Sequence, residues 1–116
     1  MPPIVPIDVD VYRTEDGNCP FELWIDDLDR KTRARLLARI ARVRAGNLGD
    51  WKSLRDGEGV AELREHFGPG YRIYFGREDR RLVLLLCGST KSEQKKAVRQ
   101  AAGLWKDWKN RGSAPE

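Results

Sequence analysis

The sequence has few of the residues that bind metals or form disulfides: its 116 residues include two cysteines and one histidine. Cys19 and Cys87 are far apart, and Cys87 lies in the apolar run LVLLLC, so we expect both to be free thiols. One histidine and two separated cysteines do not supply the spacing of a structural zinc site. We therefore expect no metal ion and no cofactor.

Long apolar runs are also missing, since no stretch approaches the roughly 18 residues that a membrane-spanning helix needs. The first ten residues, MPPIVPIDVD, lack the basic and apolar regions of a signal peptide. With 40% apolar and 34% charged residues, the composition is typical of a soluble globular domain. We expect one domain over residues 1–110, a disordered tail over 111–116, a cytoplasmic location and no membrane association.

Acidic residues become scarce after the first quarter of the chain. Residues 1–29 contain eight acids and one base, whereas residues 30–116 contain ten acids and twenty-one bases, giving net charges of −7 and +11. A domain this basic points to a polyanionic partner, although any single charge is equally consistent with solvated surface.

The strongest run of positive charge falls on a predicted helix from about Arg30 to Ala45, whose apolar stripe contains Leu36, Ile40 and Val43. Its surface carries seven cations and no acid, namely Arg30, Lys31, Arg33, Arg35, Arg39, Arg42 and Arg44. Three interpretations remain open for this surface: it binds a polyanion such as a nucleic acid, it faces an acidic protein partner, or it is simply solvated.

The pattern of the remaining chain predicts an α+β domain in which helices flank a small antiparallel sheet, with the order β-α-α-β-β-β-α. We expect a first edge strand over residues 4–12, a short helix that begins at Pro20, and Asp29 as the cap of the arginine-rich helix. A loop containing Trp51 and Lys52 follows. The later elements are strands at Val60–Phe67, Tyr71–Arg77 and Arg81–Gly88, and a helix that ends near Asn110.

The segment FGPGYRIYF, Phe67–Phe75, predicts a hairpin turn at Gly68, Pro69 and Gly70. A three-residue turn would pair His66 with Arg72 and Arg64 with Tyr74, and it keeps polar residues together on one face of the sheet. The simplest alternative is an ordinary solvent-facing surface in which Glu62 pairs with Arg64.

The side chains on this face suit chemistry on a phosphate group. Guanidinium groups bind phosphate oxygens in pairs, a tyrosine stacks on a base, and a histidine transfers protons near neutral pH. We therefore consider Arg64, His66, Arg72 and Tyr74 a candidate site.

Four separated motifs resemble the RelE/ParE superfamily of bacterial toxins, and within it the HigB-like branch of addiction-module killer proteins. The motifs are PFELWIDDL, RIARVRAGNLGDWKSL, GVAELREHFGPGYRIYF and LLLCGSTKSEQKKAVRQAAGLW. The resemblance implies a RelE-like fold and a neighbouring antitoxin, usually of the helix-turn-helix type. It also implies one of two activities, cleavage of mRNA on the ribosome or, as in ParE-like members, inhibition of DNA gyrase.

The resemblance extends to Arg64, Arg72, Lys91 and Lys52; Ser89 and Thr90 stand where many relatives have Gly-Asp. The full expectation is an mRNA endonuclease that needs no metal. A gyrase inhibitor and a non-toxic interaction domain are the alternatives. The expected catalytic residues are Arg64, His66, Arg72, Tyr74 and Lys91, and the expected RNA- or ribosome-binding residues are Arg35, Arg39, Arg42 and Lys52.

Overall fold

The computed structural model describes residues 5–55, 58–79 and 82–111. Within these ranges the chain forms five strands and three helices, with a 3-10 turn at Lys91–Glu93 before the last helix. Their bounds are β1 Asp8–Val11, α1 Pro20–Asp26, α2 Arg30–Arg44, β2 Trp51–Ser53, β3 Val60–Glu65, β4 Tyr71–Glu78, β5 Leu82–Thr90 and α3 Gln94–Asn110.

The strands form one mixed sheet in the order β1-β5-β4-β3-β2. The predicted α+β class is confirmed, with two differences in the sheet. β1 pairs with β5 in parallel, whereas all other neighbours are antiparallel. β2 is an additional edge strand in the segment predicted as a loop, because three residues are too few to show an alternating pattern.

Helices cover both faces of the sheet, and each face has its own apolar cluster. Leu63, Ile73 and Phe75 point toward α1 and α2, whereas Tyr74 and Leu86 point toward α3. The register shifts between Tyr74 and Phe75, which pair with Cys87 and Leu85, so Leu86 is an extra residue in β5. The run LVLLLC is apolar on both faces because both faces are covered.

Two glycines in the sheet lie directly beneath tryptophan rings. A Cβ atom added at Gly76 would lie 2.1 Å from the Trp105 ring of α3, and one added at Gly88 would lie 2.3 Å from the Trp24 ring of α1. Trp105 also stacks on Trp108, with ring centroids 5.1 Å apart. These indoles anchor α1 and α3 to opposite faces of the sheet.

The helix boundaries follow the predicted signals. Pro20 occupies the first turn of α1, and Asp29 caps α2 by accepting a hydrogen bond from the Thr32 backbone N–H at 3.1 Å. Gly46 has φ = +101°, the left-handed conformation that ends a helix and favours glycine. Both cysteines are free and buried.

Three sequence predictions fall partly outside the described residues. They are the start of the first strand at Ile4, the start of the last strand at Arg81, and the tail over residues 112–116. Among the described residues, no helix combines the length and the apolar character that crossing a membrane requires.

Candidate functional site

The β3–β4 hairpin has a longer turn than the sequence suggested. Arg64 pairs with Arg72, Glu62 with Tyr74, and Glu65 with Tyr71, which leaves residues 66–70 in the turn. The predicted pairs, His66 with Arg72 and Arg64 with Tyr74, are therefore wrong by two positions. A shift of two residues keeps each side chain on the same face, so the predicted division of polar and apolar faces still holds.

Part of the polar face is covered by α3, which the pattern of the strands alone did not reveal. Tyr74 is 0% exposed, and its hydroxyl lies 2.9 Å from the Ser89 hydroxyl. Burial raises the pKa of Tyr74 to about 12. Tyr74 is thus a neutral core residue, and in this structure it is not available to stack on a base or to donate a proton to a substrate.

Arg72 is also buried, with 5% exposure. Its Nη1 donates to the Tyr71 carbonyl at 3.0 Å, and its Nε lies 3.8 Å from Glu62 Oε2. Gln94 of α3 donates to the other Glu62 oxygen at 2.8 Å. Glu62 therefore pairs with Arg72 rather than with Arg64. In this arrangement Arg64 and Arg72 are not placed to bind one phosphate together.

The exposed remainder of the polar face contains a contact among three side chains. Arg64 donates from Nε and Nη2 to Asp50 Oδ1 at 3.1 and 2.9 Å, and His66 Nε2 lies 2.8 Å from Asp50 Oδ2. One carboxylate thus holds both a guanidinium and an imidazole. We call Asp50, Arg64 and His66 the carboxylate cluster.

The hydrogen bonds of the carboxylate cluster favour the ionised form of Asp50. Hydrogen bonds from His66 and then Arg64 lower the pKa of Asp50 below its usual value. An ionised carboxylate only accepts hydrogen bonds, so His66 Nε2 must carry the hydrogen. Within the described part of the chain His66 Nδ1 makes no hydrogen bond, and the side chain is 67% exposed. The Nδ1 edge of the ring is therefore open to solvent beside Arg64.

Arg39 of α2 holds this cluster in position from below. Its Nη2 donates to the carbonyls of Leu48 and Asp50 at 2.8 and 2.7 Å, and its Nη1 donates to the Arg64 carbonyl at 2.8 Å. Nη1 also forms an ion pair with Glu65. The guanidinium packs over Gly49, where φ is +64° and an added Cβ would lie 3.1 Å from Nη2.

The prediction that Arg39 belongs to an RNA- or ribosome-binding surface is wrong, because its side chain is only 4% exposed. Leu36, Ile40 and Val43 are buried on the same helix, and Arg39 stands three or four residues from two of them. The helical period therefore places Arg39 in the apolar stripe. Arg35 and Arg42 are exposed as expected, and Arg35 lies over the Phe67 ring at 3.7 Å.

The two predicted lysines flank the carboxylate cluster without contacting it. Lys52 is exposed on β2, opposite Glu62, and therefore lies on the α3 side of the sheet. Lys91 is exposed after β5, and its backbone N–H donates to Gly70 at 3.0 Å. Strand pairing places Lys91 and His66 at the same end of the sheet, two strand spacings or roughly 10 Å apart in backbone position.

Asp50 is not among the candidate residues predicted from the sequence. The available signal was the order Gly-Asp-Trp-Lys-Ser at residues 49–53, a turn glycine directly before a short strand. Because β2 pairs with β3, this order brings the carboxylate beside Arg64.

Comparison with known proteins identifies a family and one relative with a similar sequence. Residues 23–102 match the model of the family described as "Phage derived protein Gp49-like (DUF891)". An uncharacterised protein of Haemophilus influenzae is 44% identical over 82 residues, which cover 70% of this chain and 81% of that protein. The matched region contains α2, the carboxylate cluster and most of α3. The chain therefore belongs to the phage-derived Gp49-like family, a RelE-like toxin family of addiction-module killers.

Proposed function

We propose that this chain is the toxin of a type II toxin–antitoxin module and that it cleaves mRNA on the ribosome without a metal ion. The observation that supports this activity is the contact of one ionised carboxylate, Asp50, with both His66 and Arg64. Membership of a toxin–antitoxin family is consistent with the presence of an antitoxin partner. We propose that the antitoxin is a helix-turn-helix protein and that both act in the cytoplasm, with no membrane involved.

His66 is proposed as the general base. Its Nδ1 accepts the proton of a ribose 2′-hydroxyl, and the 2′-oxygen attacks the adjacent phosphorus. Asp50 accepts a hydrogen bond from the Nε2–H group of His66 and stabilises the imidazolium that forms. Carboxylates do the same for catalytic histidines in other enzymes. As the new bond from the 2′-oxygen to phosphorus forms, the bond from phosphorus to the 5′-oxygen breaks. The products are a 2′,3′-cyclic phosphate and a 5′-hydroxyl.

We propose that Arg64 binds the phosphate group and that Lys91 is the general acid of this reaction. Arg64 uses Nε and Nη2 for Asp50, which leaves Nη1 for a phosphate oxygen. Lys91 is a cation at the same end of the sheet and supplies the proton that the leaving 5′-oxygen takes. Lys52 adds positive potential beside the site. Arg72 and Tyr74 support the sheet beneath it and, in this proposal, are no longer catalytic.

The ribosome is proposed to orient the RNA, because acid–base assistance supplies only about 10² to 10⁴ in rate. The exposed cations of α2, including Arg35 and Arg42, would then contact ribosomal RNA phosphates. This part of the proposal rests on charge and exposure.

The test is to induce the chain alone in cells and to map the 5′ ends of mRNA. We expect growth arrest and new 5′ ends within codons. His66→Gln and Asp50→Asn should remove both effects, whereas Asp26→Asn should retain them. Asp26 is a matched control because it is an exposed carboxylate on α1, away from the carboxylate cluster.

Two results would overturn the proposal in different ways. Growth arrest with intact transcripts and a DNA-damage response, unchanged in His66→Gln, would indicate a gyrase inhibitor. Normal growth with a folded wild-type chain would indicate a non-toxic interaction domain.

A further inference from the structure

A groove lies beside the end of β2 and the first half of α3. Two adjoining depressions, of about 430 and 370 Å³, share Leu54 and Arg55. The residues of the groove that matter here are Lys52, Leu54, Arg55, Lys95, Val98 and Arg99. Leu54 and Val98 are partly buried against the α3-side core and form its floor.

The described residues that line this groove carry charge of one sign. Of the described residues that line it, four are cations and none is acidic. Lys95 and Arg99 are exposed one turn apart on the same face of α3, where like charges destabilise a helix by a few tenths of a kcal/mol. Cations around an apolar floor complement a chain of phosphates whose sugars and bases contact the floor.

One short strand, β2, joins the groove to the proposed catalytic residues. β2 connects Asp50 of the carboxylate cluster to Leu54 of the groove floor, a distance of roughly 13 Å along an extended strand. Lys52 lies between them and faces the same side of the sheet as Arg64, because it pairs with Glu62. A strand of RNA that leaves the carboxylate cluster in this direction would therefore pass Lys52, Arg55 and Arg99 in turn.

We propose that this groove binds the phosphate backbone of single-stranded RNA on one side of the cleaved bond. The inference rests on the proposed function, because it takes the carboxylate cluster as the point of cleavage. It assigns a substrate-binding role to Arg55, Lys95 and Arg99. It also gives Lys52 a specific role, as the contact nearest the cleaved phosphate.

The test measures binding of a fluorescent 2′-O-methyl oligoribonucleotide by anisotropy over a range of salt concentrations. The 2′-O-methyl groups prevent cleavage, so binding is separated from catalysis. We expect Lys95→Gln/Arg99→Gln to weaken binding on the order of tenfold at low salt. The slope of log K against log salt should fall by about 1.4, because single strands release about 0.7 counterions per phosphate contact.

The matched control is Lys106→Gln/Lys109→Gln, which removes the same charge from the other end of α3, outside the groove. We expect it to retain wild-type affinity and slope. His66→Gln should also retain binding while losing cleavage.

The outcomes separate the two proposals. If both double variants weaken binding equally, or neither does, the groove assignment is wrong while cleavage by His66 still stands. If the double variant of the groove binds RNA normally but loses affinity for the antitoxin, the groove belongs to a protein partner instead. If wild type binds the oligonucleotide but produces no mRNA cleavage in cells, the proposed function fails and the groove remains.

Discussion

The buried guanidinium of Arg39 donates a hydrogen bond of 2.7 Å to the backbone carbonyl of Asp50. The same guanidinium donates to the carbonyl of Arg64. One side chain of α2 thus holds the backbone of two members of the carboxylate cluster. The spacing between Asp50 and Arg64 therefore depends on a residue that a substrate does not touch.

Replacing Arg39 should destabilise the protein strongly. Arg39→Met leaves Glu65 without its partner and leaves buried carbonyls without a donor, so we expect a loss of about 3–5 kcal/mol in the free energy of unfolding. Urea denaturation measures this loss. Arg42→Met is the control, because Arg42 is exposed on the same helix and its replacement should cost less than about 0.5 kcal/mol. Equal midpoints for the two variants would show that the Arg39 contacts contribute nothing.

Replacing Asp50 by asparagine should reduce cleavage without unfolding the chain. An amide in place of the carboxylate no longer stabilises the imidazolium of His66, so we expect the rate to fall by between about 10²- and 10⁴-fold. Asp50 is 41% exposed, which keeps the structural cost small. The measurement is cleavage of mRNA in a purified translation system, with thermal unfolding as the check on folding. Unchanged cleavage by a folded variant would remove Asp50 from the mechanism.

Two glycine-to-alanine changes should have opposite effects on stability. Gly76→Ala would place a methyl group 2.1 Å from the Trp105 ring, so we expect a loss of at least about 1–3 kcal/mol as the ring is displaced. Gly103→Ala lies in α3 with nothing within 4 Å of the added carbon, and should stabilise by about 0.5–1 kcal/mol. Chemical denaturation compares them directly. A neutral Gly76→Ala variant would mean that the indole moves aside at no cost.

Stability should fall in alkaline solution because of two groups beneath α3. Burial raises the pKa of Cys87 from 9.0 to about 12, and that of Tyr74 from 10.0 to about 12. Between about pH 9 and pH 12 the unfolded chain loses these protons while the folded chain retains them, so rising pH favours unfolding. Denaturation at pH 7, 9 and 10.5 tests this. Cys87→Ala should flatten the decline from pH 9, and Tyr74→Phe should flatten it above pH 10. A decline equally steep in both variants would assign the effect to other groups.

The sequence predicts the elements well where a pattern is long enough to repeat. The helix from Arg30, its Asp29 cap and the division of β4 into two faces all follow from spacing. The hairpin register does not, because shifts of two residues preserve the same faces. The burial of Arg72 and Tyr74 does not follow from spacing either. It depends on the position of α3 over the sheet, which the sequence of β4 does not specify.

The candidate site shows the same division between local and distant information. The alternation of the strand places Arg64 and His66 on one face. Asp50 is fourteen positions from Arg64 and sixteen from His66, and it joins them only through the pairing of β2 with β3. The charge of Arg39 favours a place on the surface, whereas its position in the apolar stripe of α2 favours burial. Its partners lie as far as residue 65 and are visible only in three dimensions.

The parallel pairing of β1 with β5 bears on how this toxin is made. Residues 8–11 are translated before their partners, residues 82–85. A nascent chain that has not reached β5 has no neighbour for β1, and it also lacks the α3 layer that covers Tyr74. Such long-range pairings form late, because the loop between them must close first. The five-stranded sheet and its α3 layer are therefore complete only after β5 and α3 have been synthesised.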